Sequence, residues 1–264
     1  MPDLSLPDVT LHYEISGNGP PMVLIAGFMS DSASWAPLLP LLEPYFTLIR
    51  PDNRTSGQTH PWDAPASMEL WAQDVISLLD HLGHEKAHIV GHSLGGLIGW
   101  VTSIRAPNRV ASIMMVGSAP INTPRNTELF RALINIRNSN APQDTWLRLL
   151  FPWLFRKEAF FAPDAITNAV QQSLAYPHAQ SAEAMALQLD ALQNVDANLF
   201  QTPPSVPSRA ILSPDDLLVP IDDARMSLNG ISLVELTGLG HSIHWDDPQR
   251  VAQEIKALTK EITL

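Results

Sequence analysis

Short, unbroken apolar runs recur through the first half of the chain, at residues 22–26, 46–50, 87–90 and 113–116. Runs of four or five such residues fit strands covered on both faces, as in a parallel sheet. Residues 9–15 alternate instead, which predicts an edge strand. Between these runs, Met68, Trp71, Val75, Leu78, Leu79 and Leu82 fall at helical spacing and predict a helix over one face of the sheet. The strand pattern returns at 209–212 and 232–236. It is interrupted from Pro120 to about Pro207 by a mostly helical stretch rich in Asn, Gln and aromatic residues, closed by Thr202-Pro203-Pro204-Ser205-Val206-Pro207. Strands alternating with helices predict an α/β fold with a mostly parallel sheet and helices on both faces. The expected organisation is a core from residues 1–120 and 207–264, with a helical cap at 121–206 inserted after the sixth strand.

Composition narrows the function. The chain has 264 residues, 45% of them apolar and 16% charged, enough for one globular α/β unit with an insertion. A formal net charge of -11 with no basic run argues against a nucleic-acid partner. Zero cysteines removes disulfides, thiol catalysis and cysteine-based metal sites together. Met1-Pro2-Asp3-Leu4 lacks the basic and apolar regions of a secretory leader, and no apolar run approaches the roughly 20 residues that span a bilayer. The expectation is a cytoplasmic protein with no membrane partner, working on a small molecule without metal or organic cofactor. Its state could be monomer or homodimer.

The chemistry is concentrated in Ile89-Val90-Gly91-His92-Ser93-Leu94-Gly95-Gly96. An apolar strand, a G-x-S-x-G turn and an apolar helix ended by Pro107 make a nucleophile elbow, with the strand read at 86–90 and the helix at 97–106. The turn lifts the Ser93 hydroxyl to a helix N-terminus, where developing negative charge is favoured. Serine needs a base, and the base needs a carboxylate to orient it. Asp215 and Asp216 follow the strand at 209–212, at the sheet edge where ligand crevices form. His241 follows the strand at 232–236 in Thr237-Gly238-Leu239-Gly240-His241, and Asp247-Pro248 opens the last helix as N-cap and first turn. The order Ser, Asp, His is that of α/β-hydrolases.

At these residues the chain resembles the α/β-hydrolase superfamily over nearly its whole length. Where relatives carry His-Gly after the third strand, this chain has Ala26-Gly27-Phe28-Met29. Their D-x-R-G-x-G-x-S segment is matched by Asp52-Asn53-Arg54-Thr55-Ser56-Gly57-Gln58-Thr59, with Asp52 and Arg54 expected to fix that loop. Their G-x-x-D-x-x-x-P is matched from Ser213 to Pro220, which selects Asp216 over Asp215, and their G-x-G-H is Gly238 to His241. Ala26 for histidine and Thr55 for glycine alter the rim of the site. The resemblance implies a triad of Ser93, Asp216 and His241, with an oxyanion hole of the backbone N–H groups of Phe28 and Leu94. It implies a serine hydrolase cutting a small carboxylic ester or lactone, and it extends to 3-oxoadipate enol-lactonases through the elbow and through Leu189-Asp190 and Asp196 before the Pro-rich segment.

The remaining candidates carry ordinary readings beside the functional ones. Trp146, Phe151, Trp153, Phe155, Phe160 and Phe161 crowd one part of the cap and are expected mainly to pack it; Met29, Trp153 and Phe160 are the pocket candidates for an apolar or aromatic substrate portion. His92 is expected to point away from the reaction and pack or hydrogen-bond, and His244 to be a neighbour of the base. His12, His84, His88 and His178 match no ligand spacing. Two other classes use the same fold: cofactor-free lyases or oxygenases that lean on the His-Asp pair, and receptors that bind a small ligand without turnover.

Overall fold

The computed structural model describes residues 3–121, 123–260 and 262; Met1 and Pro2, the start of the segment read above as lacking a leader, lie outside them. Among the described residues, eight strands form one sheet: β1 (Asp3–Ser5), β2 (Thr10–Gly17), β3 (Pro21–Ile25), β4 (Thr47–Pro51), β5 (Ala87–His92), β6 (Val110–Val116), β7 (Ser208–Leu212) and β8 (Ser232–Glu235). Their order is β1-β2-β4-β3-β5-β6-β7-β8. The first two pairings, β1–β2 and β2–β4, are antiparallel and the rest are parallel. The 9–15 segment expected at the edge is β2, one place inward: the three-residue β1, too short to register as an alternation, pairs along its outer side.

Among the described residues, ten α-helices accompany the sheet: α1 (Leu39–Leu42), α2 (Met68–His81), α3 (Leu94–Arg105), α4 (Pro124–Arg137), α5 (Thr145–Leu154), α6 (Ala165–Ala175), α7 (Ala182–Gln193), α8 (Ile221–Ser227), α9 (Ile243–Asp246) and α10 (Pro248–Lys260). Every residue of β5 and β6 is buried, as strands covered on both sides should be. On one face, Met68, Trp71, Val75, Leu78 and Leu79 of α2 pack with Ile98, Trp100 and Val101 of α3. On the other, Val251, Ala252, Ile255 and Leu258 of α10 pack with Trp35, Leu38 and Leu42. Ser67 caps α2 by accepting from Leu70 N–H, and Asp247 caps α10 by accepting from Arg250 N–H at 3.1 Å.

Helices α4 to α7 fill the interval between β6 and β7. They form their own apolar cluster, with Phe130, Leu133, Ile134, Leu150, Met185 and Leu189 buried together and Leu218 of the core completing it. Among the described residues no helix is long and apolar enough to cross a membrane.

Candidate active site

Ser93 stands alone between β5 and α3. The strand runs on to His92 and the helix begins at Leu94, both closer to the serine than the apolar pattern suggested, so the chain reverses on one residue. That residue has φ 50 and ψ -117, a strained conformation for a side chain other than glycine. The flanking glycines make it possible: a Cβ on Gly91 would overlap Gly95 O, and one on Gly95 would overlap Ile25 O. The serine's own backbone is tied down on two sides. Its N–H donates to Val116 O at 3.0 Å, and the Ser118 hydroxyl donates to its carbonyl at 2.6 Å.

His241 and Asp216 meet across two loops. The ring nitrogen Nδ1 lies 2.8 Å from Asp216 Oδ2, and both side chains are almost fully buried. The other carboxylate oxygen, Oδ1, accepts from the N–H groups of Leu218 at 2.8 Å and Val219 at 3.0 Å. With both oxygens occupied, the carboxylate cannot rotate away from the imidazole, and it holds the tautomer that leaves Nε2 free to accept a proton. Asp215, the competing acid, points elsewhere. Its Oδ2 accepts from Gly238 N–H at 2.8 Å, clasping the histidine loop from outside. Ser213, which stands where the family pattern has glycine, adds a second clasp by donating to Leu239 O at 2.6 Å.

Ser93 and His241 line one cavity of about 390 Å³, within the range usual for small-molecule sites. Among the described residues no hydrogen bond joins the Ser93 hydroxyl to the ring; such bonds close when substrate orders the site. Phe28 and Leu94 line the same cavity, and among the described residues neither of their backbone N–H groups has a hydrogen-bond acceptor. Two unspent donors beside a serine hydroxyl are an arrangement able to hold an oxyanion. The loop that carries Phe28 is held from three directions. Met29 adopts φ 60 and donates its N–H to Gln188 Oε1 of α7 at 2.9 Å, while Asn53 donates to Ala26 O at 3.0 Å. The Phe28 ring packs on Phe130 of α4, with centroids 4.7 Å apart.

The pocket candidates from the sequence lie outside the cavity lining. Met29 packs among the α4–α7 cluster, Trp153 sits under the Arg125 guanidinium at 5.4 Å, and Phe160 packs against Leu147, Phe151 and Val170. The aromatic crowd in α5 and after it holds the inserted helices together, and Phe161 is 72% exposed. The aromatic and polar walls come from residues the pattern did not single out: Phe130, Phe200, Asn126, Thr127 and Gln193. Their signal in the sequence is weak, since one residue per helical turn facing a cavity looks the same as one facing a core. Among the described lining residues, His241 is the one titratable side chain.

Asp52 and Arg54 do not pair with each other. Asp52 accepts from the N–H groups of Ser32 and Gln58, and Arg54 binds Asp74 and Asp8. Thr55, in the glycine position of the family pattern, takes φ 74 and accepts from Gln180 Nε2 through its carbonyl at 2.6 Å.

A model of the alpha/beta hydrolase family matches residues 22–254 of this chain. The chain belongs to that family. A putative carbamate hydrolase, RutD, of Variovorax paradoxus (strain S110) is 28% identical over 241 residues, 89% of each chain. Among solved structures, the enol-lactonase from Burkholderia xenovorans LB400 superposes with a TM-score of 0.84 at 22% identity, covering 98% of this chain and all of that one. A hydrolase from Pseudomonas aeruginosa PA01 gives 0.83 at 21% identity and 97% coverage of each. The alpha/beta hydrolase fold expected from the sequence is thereby established, and the chain is a hydrolase.

Proposed function

We propose that this alpha/beta hydrolase is a serine hydrolase of small, uncharged carboxylic esters or lactones. The observation that carries the proposal is the closed His241–Asp216 pair opening on the same cavity as Ser93 on its strained turn. In this reading Ser93 Oγ attacks the substrate carbonyl carbon as its proton passes to His241 Nε2. The tetrahedral oxyanion takes the N–H groups of Phe28 and Leu94, each such donor contributing about 2.7–4 kcal/mol to lowering the barrier. Collapse breaks the ester C–O bond, and the leaving oxygen receives the proton from His241. Water then attacks the acyl carbon as its proton passes to the same nitrogen, and collapse breaks the bond to Ser93 Oγ, which takes that proton back from His241 as the acid leaves.

Substrate character follows from the walls. Leu97, Ile121, Leu192, Val195 and Phe200 supply apolar surface, while Thr123, Asn126, Thr127 and Gln193 supply neutral polar groups. No cationic side chain is among the described lining residues, so a substrate carboxylate or phosphate would be desolvated there without a counter-ion. An uncharged acyl group bound to an uncharged alcohol fits best. A carbamate, the substrate class in the name of RutD, offers Ser93 the same carbonyl and is the competitor to assay. Helices α4–α7 act in this reading as the cap that closes the cavity.

Incubation with a fluorophosphonate followed by intact-mass spectrometry tests the assignment, alongside hydrolysis of p-nitrophenyl butyrate. One adduct on the wild type and none on Ser93→Ala, with turnover lost in the variant by about 10⁴-fold or more, is the expected result. Substantial activity in Ser93→Ala would point instead to a lyase or oxygenase using the His241–Asp216 pair. Ligand binding without turnover in the wild type would point to a receptor.

A further inference from the structure

Resting on the triad reading above, we propose that His92 is a positioning residue, a ring wedged between the oxyanion loop and the main chain of His241 that fixes the base relative to Ser93. His92 ends β5 immediately before the nucleophile and is 6% exposed. Its Nε2 lies 3.1 Å from the carbonyl oxygen of His241. A carbonyl can only accept, so Nε2 carries the proton and Nδ1 is bare. His92 is the one donor to that carbonyl among the described residues.

The opposite edge of the ring meets the oxyanion loop. A Cβ on Gly27 would stand 2.9 Å from His92 Nδ1 and 3.2 Å from Ser93 Cβ, so the loop approaches both residues with a bare Cα. The faces of the ring are covered too. The His244 ring lies 4.5 Å away and the His241 ring 4.9 Å, and Trp35 backs His244 at 5.0 Å. Burial, with His244 and His241 alongside, keeps His92 uncharged far below the ordinary imidazole range. One neutral ring, on the residue joined directly to Ser93, thus meets both the oxyanion loop and the base. An apolar residue of similar size would fill the space but leave the His241 carbonyl without its donor, and the base loop with one tie fewer, the one beside the ring itself.

Nitrogen-15 histidine NMR on the wild type is the direct test. His92 is expected as the neutral tautomer protonated at Nε2 from pH 5 to 8; a ring protonated at Nδ1, or charged in that range, would overturn the proposal. Three variants extend the test. In His92→Gln the amide nitrogen reaches the place of Nε2; in His92→Asn it falls short; His92→Phe keeps the ring and loses the donor. For p-nitrophenyl butyrate, kcat is expected to fall on the order of 10²-fold in His92→Asn and His92→Phe, with KM changed by less than about threefold, and to recover to within about fivefold of wild type in His92→Gln. Unchanged kcat per folded molecule in all three, or equal losses that follow only the fall in Tm, would reduce His92 to packing and overturn the role. If the wild type hydrolyses no ester, the triad reading fails instead, and His92 is judged by NMR alone. A His241 titration displaced in His92→Phe and restored in His92→Gln supports the wedge; identical His241 titrations overturn it.

Discussion

Two regions enclose the cavity and are held by different means. The loops at the carboxyl edge of the sheet fasten to each other through short side chains and backbone: Ser118 to Ser93, Ser213 to Leu239, Asp215 to Gly238, Asp216 to His241. The inserted stretch of α4–α7 fastens to the core mainly through longer side chains: Gln188 to Met29, Gln180 to Thr55, Tyr176 to Asp31, Arg125 to Leu217. Short side chains carry few rotors and confine geometry within tenths of an ångström; long ones lose more entropy on fixing and yield more easily. The first region is therefore suited to chemistry and the second to selection. Changes in the loops should cost orders of magnitude in rate, and changes in the helices should cost small factors and alter preference.

The largest separation should come from two adjacent carboxylates. Asp216→Asn keeps the shape but presents an amide to His241 Nδ1, which disturbs the tautomer that leaves Nε2 as acceptor. A loss on the order of 10⁴-fold in kcat is expected. Asp215→Asn keeps an oxygen that can accept from Gly238 N–H and touches no ring nitrogen, so its kcat should stay within about tenfold of wild type. Steady-state kinetics on the two variants decides between them, and similar losses in both would refute the assignment of the acid.

The same contrast has a pH signature. The inserted stretch between β6 and β7, among the described residues, holds a single histidine, the partly exposed His178, whereas the core buries His12, His88, His92, His241 and His244. Burial pushes His88 down to about 4, and burial with His241 nearby pushes His244 down to about 3. A histidine depressed below 6.5 in the folded state stabilises the fold above that pH. This contribution is lost as the pH falls through the folded value, because the unfolded chain binds the proton more readily. Tm should therefore fall between pH 6.5 and 4. His88→Gln, which keeps a polar partner for the Ser112 hydroxyl, should flatten that slope by reducing the stability lost across the interval by about 2 kcal/mol. Thermal melts at half-unit intervals of pH would show it, and an unchanged slope would contradict the neutral, buried state of His88.

What could be read from the sequence divides along the same line. The tight turn at Ser93 and the strands β3 to β8 were legible because each is local: an apolar run, then glycines at fixed spacing around one side chain. Asp216 could be separated from Asp215 only by counting to Pro220, and the geometry gives the reason, since Oδ1 of Asp216 must accept from the N–H groups of Leu218 and Val219. The pocket was not legible. Trp153 and Phe160 were aromatic and in the right segment, yet whether a helical residue faces the core, a neighbouring helix or a cavity depends on how α4–α7 are rotated. Gln188 was invisible for a similar reason: a glutamine in the middle of a helix gives no hint that a peptide N–H 159 positions away needs it.

Gln188 tests how far the selective region reaches into the chemical one. It is fully buried, and its Oε1 accepts the N–H of the peptide that follows Phe28. Gln188→Leu leaves that N–H buried without a partner, a loss of about 1–3 kcal/mol. Because the same peptide helps aim the oxyanion donor, kcat should fall about tenfold with little change in KM. The expected loss is well below that of Asp216→Asn and above that of a pocket change. A loss confined to Tm, with kcat intact, would show that Met29 can be held without α7 and would sharpen the division between the regions.

The smallest effect, and the one most specific to selection, is expected at Phe130. Its ring packs on Phe28 and closes one side of the cavity from α4. Phe130→Leu keeps an apolar residue in the cluster with Leu133 and Leu189, costing about 1 kcal/mol of stability, while opening space beside the oxyanion loop. One methylene placed in an apolar pocket changes specificity by about 1–3 kcal/mol at most. A partial opening should therefore raise kcat/KM for p-nitrophenyl octanoate relative to butyrate by only about threefold to tenfold. The absolute kcat for butyrate should hardly move, because in the proposed mechanism Phe28 contributes its backbone N–H and not its ring. If instead both esters lose rate together, the Phe28–Phe130 stack is holding the oxyanion loop in place. Phe130 would then belong with the short clasps of the sheet edge, and the boundary between the two regions would pass through α4.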